Sequence, residues 1–230
     1  FTLRVDSGVK VLFQSGTFMY VSGTLRARHA SFTSSKDTIG GPVPLKGDWA
    51  AIVMNNAATV LVLDTCVVKF GGGSSTPMIY SDRAVTSATL TNCSVLNSNN
   101  WGIYLTTSSS ATLTNCIISN SNSHGVYLNS PTMSVTGTAI SNSTGIGLHL
   151  DGGTNAIVSN STITGSSSGQ GLWISSTNST VSNCTISGSS SYGIHVYSGS
   201  ARIQDCTISN SSDRGVYVQA GSASLTGCTI

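Results

Sequence analysis

The sequence predicts an all-β fold, a parallel β-solenoid of stacked coils, and two observations carry that prediction. The first is a fixed period over residues 89 to 230. The segment TLTNCSVLNSNNWGIYL recurs as TLTNCIISNSNSHGVYL, SVTGTAISNSTGIGLHL, IVSNSTITGSSSGQGLWI, TVSNCTISGSSSYGIHV and RIQDCTISNSSDRGVYV, and begins again as SLTGCTI. One slot, held by Cys93, Cys116, Thr138, Ser161, Cys184, Cys206 and Cys228, marks the period at spacings of 23, 22, 23, 23, 22 and 22 residues. A constant spacing in this range is the mark of a repeat architecture. The second observation is the pattern inside each period. Apolar residues stand three before the marker (Leu90, Leu113, Val135, Val158, Val181, Ile203, Leu225) and two after it (Val95, Ile118, Ile140, Ile163, Ile186, Ile208, Ile230). A further apolar-x-apolar pair follows a glycine, as in Ile103 and Leu105 or Val126 and Leu128. These are period-two fragments separated by Ser, Asn and Gly, with no helical periodicity. Each coil is therefore three short strands and three turns.

The turns complete the coil. The residue before the marker is Asn92, Asn115, Gly137, Asn160, Asn183, Asp205 or Gly227, types that tolerate a left-handed backbone. A second corner is expected four residues after the marker, at Asn97, Asn120, Asn142, Gly165, Gly188 and Asn210. One such coil cannot bury its own apolar face, so coils must stack in parallel register.

Upstream, residues 1 to 35 read as the first coils, with strands at Leu3 to Val5, Val9 to Phe13, Phe18 to Val21, Thr24 to Ala27 and Ser31 to Thr33. Residues 34 to 47, SSKDTIGGPVPLKG, are the longest insertion and hold two of the four prolines. They read as a surface flap with Trp49 beneath it. Residues 49 to 88 restore the coil with WAAIVM, TVLVLDTCVVKF and PMIY, the extra length falling in turns at Gly71 to Thr76 and Ser81 to Thr86. The chain thus reads as one domain over 1–230, irregular to 88 and regular from 89, with about nine coils of 22 to 23 residues.

The triangular coil, the Asn corners and the G-[IV]-x-[LV] strand resemble the right-handed parallel β-helix of the pectin-lyase-like superfamily. The stretch VKVLFQSGTFMYVSGTLRARHASFTSSKDTIGG, followed by KGDWAAIVM, is similar to the opening coils of large secreted bacterial and archaeal β-helix proteins. The resemblance implies right-handed winding and an extracellular or cell-surface location. It does not choose an activity, because the superfamily holds lyases, hydrolases, adhesins and inert shafts. Such helices usually carry a helical cap on the first coil and none precedes Phe1. Two expectations follow: the 230 residues are part of a longer chain, or coils self-associate end to end.

Composition narrows the partners. Only 8% of residues are charged, glutamate is absent and the formal net charge is +2. Arg4, Arg26, Arg28, Arg83, Arg202 and Arg214 read as scattered rather than as a basic stripe, so nucleic acid is not expected as a partner. No apolar run reaches the length of a membrane span, so no insertion is expected. All six cysteines fall in the marker slot, where equivalent positions in adjacent coils lie about 4.8 Å apart. That exceeds the roughly 3.8 Å Cβ separation of a disulfide, so buried free thiols are expected. A column of thiols does not make a tetrahedron, and His149 and His195 stand two coils apart; no metal or cofactor site is expected.

The outward position of the G-[IV]-x-[LV] strand is held by Tyr104, Tyr127, His149, Trp173, His195 and Tyr217, with Trp101 and Tyr192 just before the glycine of their coils. A stripe of rings bordered by Thr, Asn and Ser suits an extended polysaccharide or cell-surface glycan, and these eight residues are the candidate site. Strand stacking alone explains the same stripe. The resemblance implies the glycan, since superfamily enzymes use this strand face for polysaccharide. Catalysis lacks parts in the sequence: sugar hydrolysis usually needs paired carboxylates, and Asp151 beside His149 is the one acidic residue near the stripe. A non-catalytic structural or adhesive module is therefore the reading. A polysaccharide lyase or hydrolase is one alternative. An ice-binding solenoid, from the outward T-x-T pairs Thr89 and Thr91 or Thr112 and Thr114, is the other.

Overall fold

The repeat winds as its spacing requires. In the computed structural model, which describes residues 1–81 and 83–230, every regular element among the described residues is a β-strand. Among the described residues no helix is long and apolar enough to cross a membrane.

Each coil contributes one strand to each of three parallel sheets. The first sheet runs from Thr2–Val5 to Ser222–Thr226, the second from Lys10–Phe13 to Thr207–Ser209, and the third from Phe18–Val21 to Val216–Val218. The described strands make nine complete coils and the first strand of a tenth, against the nine expected. One coil departs from three separate strands. Ile103–Thr114 runs on for 12 residues, pairing with Val126–Asn129 in the third sheet and with Thr132–Thr136 in the first, and so joins the two.

Inside the helix, each apolar slot stacks on its equivalent. Leu90, Leu113, Val135, Val158, Val181 and Ile203 are in register and fully buried, and Val95, Ile118, Ile140, Ile163, Ile186 and Ile208 form a parallel column. The corners adopt the left-handed backbone: φ is 53° at Asn92, 53° at Asn115, 50° at Asn160 and 51° at Asp205, with Gly137 at 60°. The second corner does likewise, from Asn97 at 58° to Gly188 at 68°. Asn side chains at that corner also pair between coils, Asn120 Nδ2 donating to Asn97 Oδ1 at 3.2 Å and Asn142 Nδ2 to Asn120 Oδ1 at 3.3 Å.

The marker slot accepts Cys, Thr or Ser for a reason the sequence does not show. From Cys66 to Cys228 its side chain donates to the carbonyl two residues earlier: Cys93 to Thr91 at 3.2 Å, Thr138 to Thr136 at 3.1 Å, Ser161 to Ser159 at 2.8 Å and Cys206 to Gln204 at 3.1 Å. A small side chain with one donor meets that need, which a methyl group does not. All six cysteines are free thiols, and burial pushes Cys184 up to about 11.

The flap is tied down by charge. Asp48 accepts from Ser34 Oγ at 3.0 Å, Lys36 Nζ at 2.6 Å and Leu45 N at 2.9 Å, and Asp37 faces Lys69 Nζ at 3.0 Å and Lys10 Nζ at 3.4 Å. Trp49 lies fully buried below, stacked on Phe13 at 4.2 Å and donating to the Lys69 carbonyl at 2.9 Å. The turn expected over Ser81 to Thr86 includes Asp82, outside the described residues. One expectation needs correction. Arg4 and Arg26 are not scattered: they stand in register on adjacent coils, because 22 residues is one turn of the helix.

In the regular coils, the glycine that opens the third-sheet strand is fixed by contact rather than by φ. A Cβ on Gly171 would lie 2.5 Å from Ile186 Cγ2, 2.8 Å from Gly193 O and 2.8 Å from Ser189 Oγ of the next coil. Gly102, Gly125, Gly147 and Gly193 meet the same three neighbours. Gly171→Ala is expected to cost about 1–3 kcal/mol by overpacking, read as a lower urea midpoint.

Candidate functional site

Strand alternation turns Ile and Leu of the G-[IV]-x-[LV] motif inward and the residue between them outward. Parallel register then lines those outward residues into one column: Tyr80, Tyr104, Tyr127, His149, Trp173, His195 and Tyr217. Ring follows ring without a gap. Centroid separations are 5.6 Å for Tyr80–Tyr104, 4.4 Å for Tyr104–Tyr127, 4.9 Å for Tyr127–His149 and 5.3 Å for His149–Trp173. The column continues at 4.4 Å for Trp173–His195 and 5.0 Å for His195–Tyr217. Trp101 stacks on His124 at 4.4 Å and touches Tyr104 at 5.1 Å, while Tyr192 packs on Tyr217 at 4.7 Å. All eight sequence-derived residues thus belong to one connected surface.

They are not equally open. Tyr127 is 9% exposed and His195 only 3%, covered by their neighbours, whereas Tyr104, Trp173, Tyr217, Trp101, Tyr192 and His149 are half-buried. Three rings outside the eight join the surface, the first being His124, on which Trp101 stacks. Tyr197, 43% exposed, stacks on Trp173 at 5.0 Å. Tyr80 extends the column by one coil; its coil is irregular, so the regular repeat did not point to it, but its place in PMIY between an inward Ile and the coil's end is the available signal.

At the Tyr80 end the surface deepens into a pocket of about 350 Å³. Tyr80, Trp101 and Tyr104 give it aromatic walls, and Ser75, Thr76 and Asn100 supply polar groups. Ser75 and Thr76, the end of the Gly71 to Thr76 turn, line it with Pro77, so the length added to this coil helps to shape the site.

Midway along the column sits the one carboxylate that the described residues place beside it. Asp151 Oδ2 accepts from Tyr127 Oη at 2.7 Å, and Oδ1 accepts from Ser175 Oγ at 2.6 Å. Burial alone raises the Asp151 carboxyl, but the Ser175 and Tyr127 hydroxyls and nearby His149 outweigh it and leave the group below its ordinary value. Burial pushes the Tyr127 hydroxyl up, reinforced by its bond to Asp151. His149 moves the other way, to about 4, because burial outweighs the attraction of Asp151. At neutral pH the centre therefore holds a charged aspartate between a neutral tyrosine and a neutral histidine. His195 Nε2 lies 3.1 Å from Gln219 Oε1, a polar cap on the covered ring.

A family model described as a right-handed β-helix region matches residues 78–230. No curated protein matches the chain in sequence. Among solved structures the chain is similar to tailspike protein 2 of an Escherichia coli bacteriophage, with a TM-score of 0.64 at 13% identity over 95% of this chain and 34% of that one. It is also similar to the A-module of an Azotobacter vinelandii mannuronan C-5 epimerase, with a TM-score of 0.62 at 11% identity over 99% of this chain and 87% of that one. The periplasmic alginate epimerase AlgG gives a TM-score of 0.57 at 11% identity, over 98% and 74%. At these identities the likeness is one of fold. The chain spans about a third of the tailspike, 34% of its length.

The half-buried His149 sets a pH dependence. Its folded value of about 4 lies below the ordinary 6.5, so the unfolded chain binds the proton first as pH falls. Its contribution to stability is complete above about pH 6.5 and is lost progressively down to about pH 4. Melting temperature is expected to fall over that window, less steeply in His149→Asn, as followed by circular dichroism at stepped pH.

Proposed function

The chain belongs to the right-handed β-helix family, and from that premise we propose that its third sheet binds an extended polysaccharide, the protein acting as a non-catalytic secreted or cell-surface module. The observation that carries this reading is the unbroken ring column from Tyr80 to Tyr217, ending in a pocket with aromatic walls and Ser, Thr and Asn donors. Such a surface offers faces for the apolar side of a sugar ring and hydrogen-bonding groups for its hydroxyls. Stacking between coils makes the column rigid, so little ordering is needed on binding. The epimerases of similar fold act, by their names, on alginate and mannuronan, which supports a glycan for this chain in general terms.

A second reading, a polysaccharide-active enzyme, is favoured by one observation. Asp151 is held ionised on this face between Tyr127 and His149. Against it, hydrolysis of the usual kind needs two facing carboxylates. Among the described residues the ring column holds one, and Asp213 stands exposed beside Arg214 at 3.6 Å.

Native affinity electrophoresis in gels containing plant, algal or bacterial polysaccharides separates the readings. Retardation by at least one polymer is expected, weakened about tenfold by Trp101→Ala and by Trp173→Ala, with no new chain ends. Retardation unchanged in both variants overturns the aromatic face; new reducing or unsaturated ends, lost in Asp151→Asn, establish the enzyme instead.

A further inference from the structure

Three of the six arginines converge on the first coils of the first sheet, away from the ring column of the third sheet. Arg4 and Arg26 are directly opposite on adjacent strands, and Arg28 follows two residues along, on the same side of the sheet. With Asp6, Val62 and Asp64 they line an open groove of about 430 Å³. Arg28 is paired with Asp64 at 3.4 Å. Arg4 and Arg26 have no ion-pair or hydrogen-bond partner among the described residues, whereas Lys10, Lys36, Lys69 and Arg214 each face an aspartate. Three arginines against two aspartates leave the groove positive by one charge.

Like charges directly opposite across a ladder repel one another. An anion between them removes that repulsion, and the guanidinium fork presents two parallel donors to a carboxylate or sulfate. The surroundings favour a polymer over a small ion. From Arg26 the same outward column runs through Val62, Thr89, Thr112, Ser134, Ile157 and Thr180 to Arg202. Arg202 is likewise without a partner among the described residues and lines a second shallow groove, of about 400 Å³, with Thr180, Ser200 and Ser224. Arginines at both ends of one flat, largely hydroxyl-bearing row match an extended chain that carries repeated negative charge.

We propose that Arg4 and Arg26 form an oxyanion site for the carboxylates or sulfates of an acidic polysaccharide lying along the first sheet, separate from the aromatic face.

Titration calorimetry at low salt tests it with polygalacturonate, dextran sulfate, neutral dextran and inorganic sulfate, on the parent, on the double variant Arg4→Gln/Arg26→Gln and on Trp101→Ala. At least one polyanion is expected to bind where neutral dextran does not. The double variant is expected to weaken that binding about tenfold or more and Trp101→Ala to leave it unchanged. Both arginine side chains are exposed, so the double variant is expected to keep the parent melting curve. Polyanion binding unchanged in the double variant overturns the site, and if Trp101→Ala abolishes it instead, the aromatic face stands alone. Inorganic sulfate binding without either polymer overturns the acidic polysaccharide and leaves a free oxyanion as the ligand.

Discussion

Parallel register between successive coils is the constraint on which every feature of this protein depends. A strand in one coil finds its hydrogen-bond partners in the coils above and below, so equivalent positions are forced to face one another about 4.8 Å apart. Any residue type that recurs in the repeat is thereby written as a column. Apolar slots become a continuous core, and the marker slot becomes a line of small donors to nearby carbonyls. Asn corners become paired amides. The same rule acts on the outside, where it converts one aromatic residue per coil into a ring surface and two arginines 22 residues apart into neighbours.

That rule also decides what could be read from the chain alone. Corners were legible because only Asn, Asp and Gly hold φ near 50 to 70° at low cost, and those types occupy the slot in every regular coil. The ring column was legible because its period matches that of the core. Exposure was not. Whether a ring is open depends on the rotamers and bulk of its neighbours, and so His195 is covered by Trp173, Tyr192 and Tyr217 while Tyr197, stacked on Trp173, stays 43% exposed. The glycine before the third-sheet strand shows a second limit. Its φ is unremarkable, and the reason for it lies in the Ile, Ser and carbonyl groups of the following coil. Tyr80 and the arginine pair were missed for a third reason: both lie in the irregular first coils, where insertions hide the period although the spatial register persists.

The two outer faces differ in chemistry. The third sheet is aromatic; among the described residues it carries Asp151, engaged by two hydroxyls, and Arg214, which lies over the Tyr192 and Tyr217 rings. The first sheet is flat and rich in Thr and Ser, with cationic side chains at its ends. Both are built on a rigid stack with no helix among the described residues, so binding requires no rearrangement of the backbone on either face. Rigid spacing also favours partners that are themselves periodic.

The three tryptophans give the most direct test, since Trp101 and Trp173 lie on the ring surface while Trp49 is sealed beneath the flap with its indole N–H on the Lys69 carbonyl. In a ¹⁵N-edited spectrum each indole gives one resolved signal, and a panel of neutral and uronic oligosaccharides can be titrated against all three. At least one oligosaccharide is expected to shift the Trp101 and Trp173 signals together and to leave Trp49 in place. If no member of the panel moves either surface indole, or if Trp49 moves with them, the ring column is not a binding face.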